Sequence, residues 1–313
     1  MKKIRVAING FGRIGRAFFK LAKDHQDIEI VAVNDLGSIE TMNYLLKYDT
    51  VYGQSSCTLD EVQYISKKDP EKLPWKKLDI DVVVESTGLF TSTEQAEVHI
   101  TAGAKRVVIT APIKDDTSPT VLMGLNEDKL ASCKISSNAS CTTNAGSPLI
   151  SILDEALGIE KALLNTVHAY TASQSLVDGP SKKDLREGRS AGQNIVPSST
   201  GAAISVTKAI PRLNGLFDGI SIRVPVVAGS IVDVTFISKR ETTIEEVNAI
   251  LKKASDTAKW KGIFTVTSEA LVSSDIIGNP HASIADLSFT RVVGGNLVKV
   301  LAWYDNEMGY THT

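Results

Sequence analysis

Ala7-Ile8-Asn9-Gly10-Phe11-Gly12-Arg13-Ile14-Gly15-Arg16 decides the fold. The stretch begins inside a short apolar run, Ile4–Ile8, which predicts a strand. It runs on into Gly15–Asp24, where Ala17, Phe18 and Leu21 share one side of a predicted helix. Between the two stands Gly10-Phe11-Gly12-Arg13-Ile14-Gly15, a GxGxxG pattern that alone is weak. Here it has context: a second predicted strand, Ile28–Val33, is followed by Asp35, an acidic residue 20 positions beyond Gly15. Strand, glycine turn, helix and strand-end carboxylate together make the dinucleotide fingerprint. Glycine is needed because backbone amides must approach a pyrophosphate, and the helix N-terminus adds partial positive charge. A carboxylate at Asp35 accepts from both ribose hydroxyls and repels a 2′-phosphate. Leu36-Gly37-Ser38 offers no arginine to neutralise one, so NAD is expected over NADP.

Outward from this unit the strand–helix alternation continues. Asp81–Glu85 and Arg106–Thr110 are short β-branched runs, expected as buried parallel strands, and Ser92–Ala102 between them reads as a helix ending at Gly103. Repeated βα units imply a doubly wound parallel sheet, an α/β Rossmann-type domain over residues 1–140. From Cys141 the character changes. A helix, Ala145–Leu157, precedes longer strands at Ala162–Tyr170, Ile220–Val226, Ile231–Ser238 and Leu297–Tyr304, with a helix at Ile244–Ala258 capped by Thr242 or Thr243. That predicts an α+β domain over 141–304 with a largely antiparallel sheet, and a short return of 305–313 to the first domain. The polar loop Ala172–Gln193 is long enough to be expected at a functional site or an interface.

A net charge of −2 gives no basic balance for nucleic acid or an anionic membrane. The start, Met1-Lys2-Lys3-Ile4-Arg5, reads as a strand rather than a signal peptide, and no stretch approaches a membrane span. Three cysteines without a CxxC pair fit a reducing compartment, so a cytoplasmic location is expected. No cluster has metal-ligand spacing, and no metal is expected.

Ser136-Ser137-Asn138-Ala139-Ser140-Cys141-Thr142-Thr143-Asn144 leads directly into the helix of the second domain. A cysteine at a helix N-terminus, flanked by hydroxyls, is expected to have a depressed thiol pKa and to serve as a nucleophile. Cys133 and Cys57 read instead as small buried apolar residues.

These residues resemble the active-site signature of the glyceraldehyde-3-phosphate dehydrogenases. The similarity extends through Ala7–Arg16, Glu85-Ser86-Thr87-Gly88, Thr166-Val167-His168-Ala169-Tyr170-Thr171, Ser199-Thr200-Gly201-Ala202-Ala203, Arg223-Val224-Pro225-Val226 and Trp303-Tyr304-Asp305-Asn306-Glu307. The resemblance implies oxidation and phosphorylation of glyceraldehyde 3-phosphate through a thiohemiacetal and a thioester on Cys141, with His168 as its partner. It implies a homotetramer. It places the substrate phosphate on Thr171 and Arg223, and the attacking inorganic phosphate on Ser140, Thr142, Thr200 and Gly201. To the cofactor site it adds Asn34, Thr87, Gly88, Thr110, Asn306 and Tyr310. His25, His99 and His281 lie in no comparable motif.

The chain also departs from that family. It is shorter between Gly53 and Lys67, Lys68 stands at a frequent arginine, Ala145 at a frequent second cysteine and Met308 at a common tryptophan. The sequence ends at Thr313, where the family continues into a helix, and weaker NAD binding is expected from this. Two competing readings are an enzyme oxidising erythrose 4-phosphate, which would lack the Ser199–Ala203 stretch, and an inactive NAD-binding homologue.

Overall fold

The computed structural model describes residues 2–181 and 184–313. Residues 182 and 183, inside the long polar loop, lie outside the described residues. The chain falls into two compact units: Met1–Val121 with Asn126–Ser140, and Leu122–Leu125 with Cys141–Thr313. The last residues, 305–313, thus cluster with the second unit.

In the first unit, β1 (Ile4–Asn9), α1 (Arg13–Ala22), β2 (Ile28–Asn34), α2 (Ile39–Lys47), a small hairpin β3 (Tyr48–Asp49) and β4 (Gly53–Gln54), β5 (Gln63–Ile65), β6 (Val82–Glu85), α3 (Thr93–Thr101), β7 (Arg106–Ile109) and β8 (Ile135–Ser137) follow in order. Six strands form one sheet in the order β5-β2-β1-β6-β7-β8, every pair parallel. Side chains alternate across it, as a strand's period of two demands. Val6, Ile8 and Val33 face a core with Phe19 and Ala22 of α1, while Ala7, Ala32 and Val83 face a second core with Ala96 of α3. The sheet is therefore doubly wound, as its sequence predicts.

Helix α1 starts two residues earlier than its apolar pattern suggests, and it buries Phe19 and Ala22 rather than Phe18 and Leu21. Phe11, before the helix, explains the shift: fully buried, it meets Phe19 edge to face with centroids 5.5 Å apart. Helix α3 keeps its predicted limits, with the Ser92 hydroxyl accepting from the Gln95 amide and Gly103 leaving the helix at φ +107°.

In the second unit come α4 (Cys141–Leu157), β9 (Ile159–Ala169), β10 (Val196–Ser199), α5 (Ala202–Ala209), β11 (Phe217–Val224), β12 (Ser230–Ser238), α6 (Ile244–Ser255), β13 (Phe264–Thr267), β14 (Ser283–Val293), β15 (Leu297–Tyr304) and α7 (Met308–Thr311). The cap of α6 is Thr243, whose hydroxyl accepts from the Glu246 amide. Seven strands run in the order β10-β11-β9-β12-β15-β14-β13. The sheet is mixed: β11 pairs with β9 and β13 with β14 in parallel, and the other pairs are antiparallel. Helix α4 lies against it, burying Leu149 and Leu153 with Leu164, Val232, Val234 and Val300 in one core. Each fully buried leucine contributes about 1.5–3 kcal/mol, so the element that begins with Cys141 is firmly anchored.

Candidate active site

The loop between β1 and α1 is shaped by what its glycines exclude. Gly10 has φ +93°, and a Cβ there would lie 2.7 Å from the Thr87 amide nitrogen. A Cβ on Gly15 would collide with the Gly10 carbonyl oxygen, whereas one on Gly12 would meet nothing. Two glycines are thus required by packing, and the third leaves its backbone open to a ligand. Asp35 is tied to this loop: its Oδ2 accepts from the Phe11 amide at 2.7 Å and its Oδ1 from the Gly37 amide at 2.9 Å.

A pocket opens here, lined among others by Asn9, Gly10, Gly12, Asn34, Asp35, Ser86 and Thr87. A glycine cradle that side chains would block, beside a strand-end carboxylate, fits a dinucleotide. Other sequence candidates sit elsewhere. Phe11 and Gly15 are buried in the packing of the loop, and Ile14, Gly88 and Thr110 are not among the lining residues. The Thr110 amide and hydroxyl both donate to the Glu85 carbonyl, at 2.9 and 3.1 Å. Arg13 pairs with Asp49 at 2.7 Å, across the ring of Tyr52. The pocket also contains Lys67 and Lys68, cations near Asp35 that a search for arginine after β2 does not find.

In the second unit Cys141 is the first residue of α4, half-buried, with its Sγ 3.3 Å from His168 Nε2. The turn before it is strained: Ala139 is buried in the left-handed region at φ +52°, with its amide donating to the Ser137 hydroxyl at 3.0 Å. His168 and Arg223 are register partners on neighbouring β9 and β11, so both side chains leave the same face. Arg223 Nη1 lies 2.6 Å from His168 Nδ1 and 3.2 Å from the Ala169 carbonyl oxygen. His168 Nδ1 is also 2.6 Å from that same oxygen. Nδ1 thus faces an obligate donor and an obligate acceptor at once, and it can satisfy only one.

The electrostatics correct the expected thiol. Burial is the largest influence on Cys141 and pushes its pKa above the ordinary value; the Arg223 guanidinium, Thr142 and the helix amides oppose it. Burial, and then Arg223, hold His168 down to about 3. Both directions favour the uncharged forms, thiol and neutral imidazole. The helix terminus acts in the expected direction, but desolvation is larger. The other thiols differ from expectation too: Cys57 and Cys133 are half-buried rather than buried.

Beneath the pair, Tyr304 is almost fully buried. Its hydroxyl lies 2.9 Å from Thr142 Oγ1 and 2.7 Å from Thr166 Oγ1, and Thr166 donates to the Ile231 carbonyl at 3.3 Å. Asn306, also buried, has Oδ1 accepting from the Gly229 amide at 3.0 Å and the Ser230 hydroxyl at 3.2 Å. Tyr310 is buried in α7. Of the anion candidates, the Thr171 hydroxyl lies 3.1 Å from that of Ser173. Thr200 Oγ1 accepts from the Ala202 amide at 3.2 Å as α5 begins, with Gly201 exposed at the helix N-cap. Ser140, immediately before α4, is half-buried. Among the described residues no His, Cys, Asp or Glu group could hold a metal ion, and no helix is long and apolar enough to cross a membrane.

A family model described as the glyceraldehyde 3-phosphate dehydrogenase NAD binding domain matches residues 4–93, and one described as the C-terminal domain of the same enzymes matches 140–306. A glyceraldehyde-3-phosphate dehydrogenase of Streptomyces coelicolor is 49% identical over 99% of this chain and 96% of its own length. Those of Buchnera aphidicola and Eremothecium gossypii are 47% and 45% identical, each over 98% of this chain and 96% of their own. With both family models in sequence and such identity along nearly its whole length, the chain belongs to the glyceraldehyde-3-phosphate dehydrogenase family.

Proposed function

We propose that this chain oxidises glyceraldehyde 3-phosphate to 1,3-bisphosphoglycerate with NAD and inorganic phosphate, as a cytoplasmic homotetramer. The observation that carries the chemistry is the 3.3 Å approach of Cys141 Sγ to His168 Nε2, with Arg223 on the same imidazole. The tetramer rests on family membership, and the location on thiols that form no disulfide among the described residues.

Bound NAD supplies the hydride acceptor; the residues do the rest. Arg223 and Thr171 take the substrate phosphate. An anion on the guanidinium draws Arg223 off His168 Nδ1. That nitrogen then carries a proton and donates it to the Ala169 carbonyl, so the Nε2 lone pair is free as base. As Cys141 Sγ attacks the aldehyde carbon, its proton passes to Nε2 and on to the new alkoxide, giving a thiohemiacetal and a neutral imidazole. His168 next takes the hydroxyl proton while hydride leaves the same carbon, and the thioester forms. Inorganic phosphate, held by Ser140, Thr142, Thr200 and Gly201, attacks the thioester carbonyl. The carbon–sulfur bond breaks, the sulfur recovers its proton from His168, and the acyl phosphate departs with the phosphate's own proton released to solvent.

The test is NADH formation from glyceraldehyde 3-phosphate with and without phosphate or arsenate. Turnover should require one of the two anions. Turnover without either would mean thioester hydrolysis, as in an enzyme that makes a free acid from erythrose 4-phosphate. No turnover despite NAD binding would leave an inactive homologue.

A further inference from the structure

Behind the dinucleotide pocket, Glu85 at the end of β6 is 1% exposed yet accepts four hydrogen bonds. Its Oε1 takes the Thr87 amide at 2.8 Å and the Thr87 hydroxyl at 2.5 Å. Its Oε2 takes Asn9 Nδ2 at 2.6 Å and lies 3.0 Å from His99 Nε2. The direction of the last bond follows from Trp75, whose indole N–H can only donate and lies 3.0 Å from His99 Nδ1. Nδ1 therefore accepts, and a neutral ring carries its proton on Nε2, facing Glu85. His99 and Trp75 are both 0% exposed.

The network is built on sheet register. Asn34, Asn9 and Glu85 are aligned partners at the ends of the adjacent strands β2, β1 and β6. Asn9 Oδ1 accepts from Asn34 Nδ2 at 2.7 Å, and Asn34 Oδ1 accepts from the Lys67 amide at 2.9 Å. Asn9, Asn34, Lys67 and Thr87 all line the pocket. An apolar side chain would fill this place without the cost of desolvating a carboxylate. Instead the fold buries one whose partners either line the pocket or hold the carboxylate still. Thr87, with both donors spent on Glu85, shapes the turn into Gly88, where φ is +72°.

We propose that Glu85 is a positioning residue for the dinucleotide: its four-fold bonded carboxylate, held from behind by His99 and Trp75, fixes Asn9 and Thr87 so that the pocket is formed before NAD arrives. This rests on the pocket being the NAD site. Glu85→Gln keeps the shape but must place an NH2 where an oxygen now accepts two donors, opposing either Asn9 and His99 or the Thr87 amide. His99 cannot relieve the conflict by changing tautomer without losing Trp75.

The experiment is calorimetric NAD titration of wild type, Glu85→Gln and Trp75→Phe, well below each melting temperature, with iodoacetamide labelling of Cys141 and NAD-saturation kinetics beside it. Glu85→Gln should raise the Kd and KM for NAD by about tenfold or more, the effect of one buried donor left unmatched. The labelling rate and kcat at saturating NAD should hold. Trp75→Phe removes only the far anchor and should raise the Kd by about threefold; if Glu85→Gln does not fold, this variant alone decides. Unchanged NAD affinity in the folded variants overturns the proposal. So does a loss that merely tracks melting temperature, equal in both variants at equal destabilisation. Failure of the wild type to bind NAD would instead overturn the assignment of the pocket.

Discussion

The glycine loop of the first unit and the Cys141 site of the second solve opposite problems. At the loop the sequence acts by leaving side chains out: a Cβ at Gly10 or Gly15 would strike backbone, and Gly12 leaves its own backbone open. At Cys141 the reacting groups are side chains of α4, β9 and β11, brought together by strand register and strongly perturbed by burial and by one another. The first should fail when atoms are added, the second when they are removed. The two failures should separate cleanly, because binding NAD and attacking an aldehyde use different atoms.

The largest effect tests that separation directly. Cys141→Ala should lower turnover by about 10⁴-fold or more and leave the NAD Kd, read by fluorescence titration, at the wild-type value. A shared loss of both would merge the two sites into one. Next, Gly10→Ala forces a Cβ against the Thr87 amide at a left-handed φ. It should weaken NAD binding by roughly tenfold to a hundredfold, while Cys141 keeps its labelling rate with iodoacetamide. Slower labelling in that variant would show that strain in the loop reaches the nucleophile.

A smaller effect concerns the burial of the imidazole. His168 is held to about 3 in the folded chain against an ordinary 6.5. Between those values the unfolded chain binds the extra proton, so this contribution to stability is full above 6.5 and lost as pH falls toward 3. Urea midpoints of wild type should fall across that window, and His168→Asn should fall less; parallel curves would remove His168 from the acid transition. The smallest effect is local. Ala139→Gly relieves a left-handed alanine at φ +52° and should raise stability by roughly 0.5–1 kcal/mol, as read from the same urea curves. A loss instead would show that the Ala139 methyl matters more in the packing than the strain it carries.

The same contrast explains what could be read before the structure. The glycine spacing, Asp35 and the β-branched runs at 82–85 and 106–109 are local signals, and the parallel sheet follows from them. The parallel pairing of β11 with β9 has no local signature, because a strand's sequence does not name its neighbour. Lys67 and Lys68 reach the pocket only through the pairing of β5 with β2. Nor does an alanine announce φ > 0 as a glycine can, so Ala139 was invisible. At Cys141 the helix N-terminus is legible in sequence, whereas the desolvation that opposes it is not. His99 lies in no motif, since its partners Trp75 and Glu85 stand 24 and 14 residues away.

The row of hydroxyls under Cys141 has a further property. Thr142, Tyr304 and Thr166 hold three protons in line, and burial makes the Tyr304 phenol harder to ionise, so the row keeps all three. A chain with a fixed number of protons can change only its sense. Running toward Ile231, it turns the oxygen of Thr142 to the sulfur and suits a thiol; running the other way, it gives up the 3.3 Å bond to Ile231 and offers the sulfur a proton, which suits a thiolate. Reversal of the row in step with the sulfur's proton is what Tyr304→Phe tests. Tyr304→Phe would cut it at the middle, and the pH dependence of Cys141 labelling should move upward in that variant; an unmoved profile would mean that the sulfur ionises without reference to the hydroxyls below it.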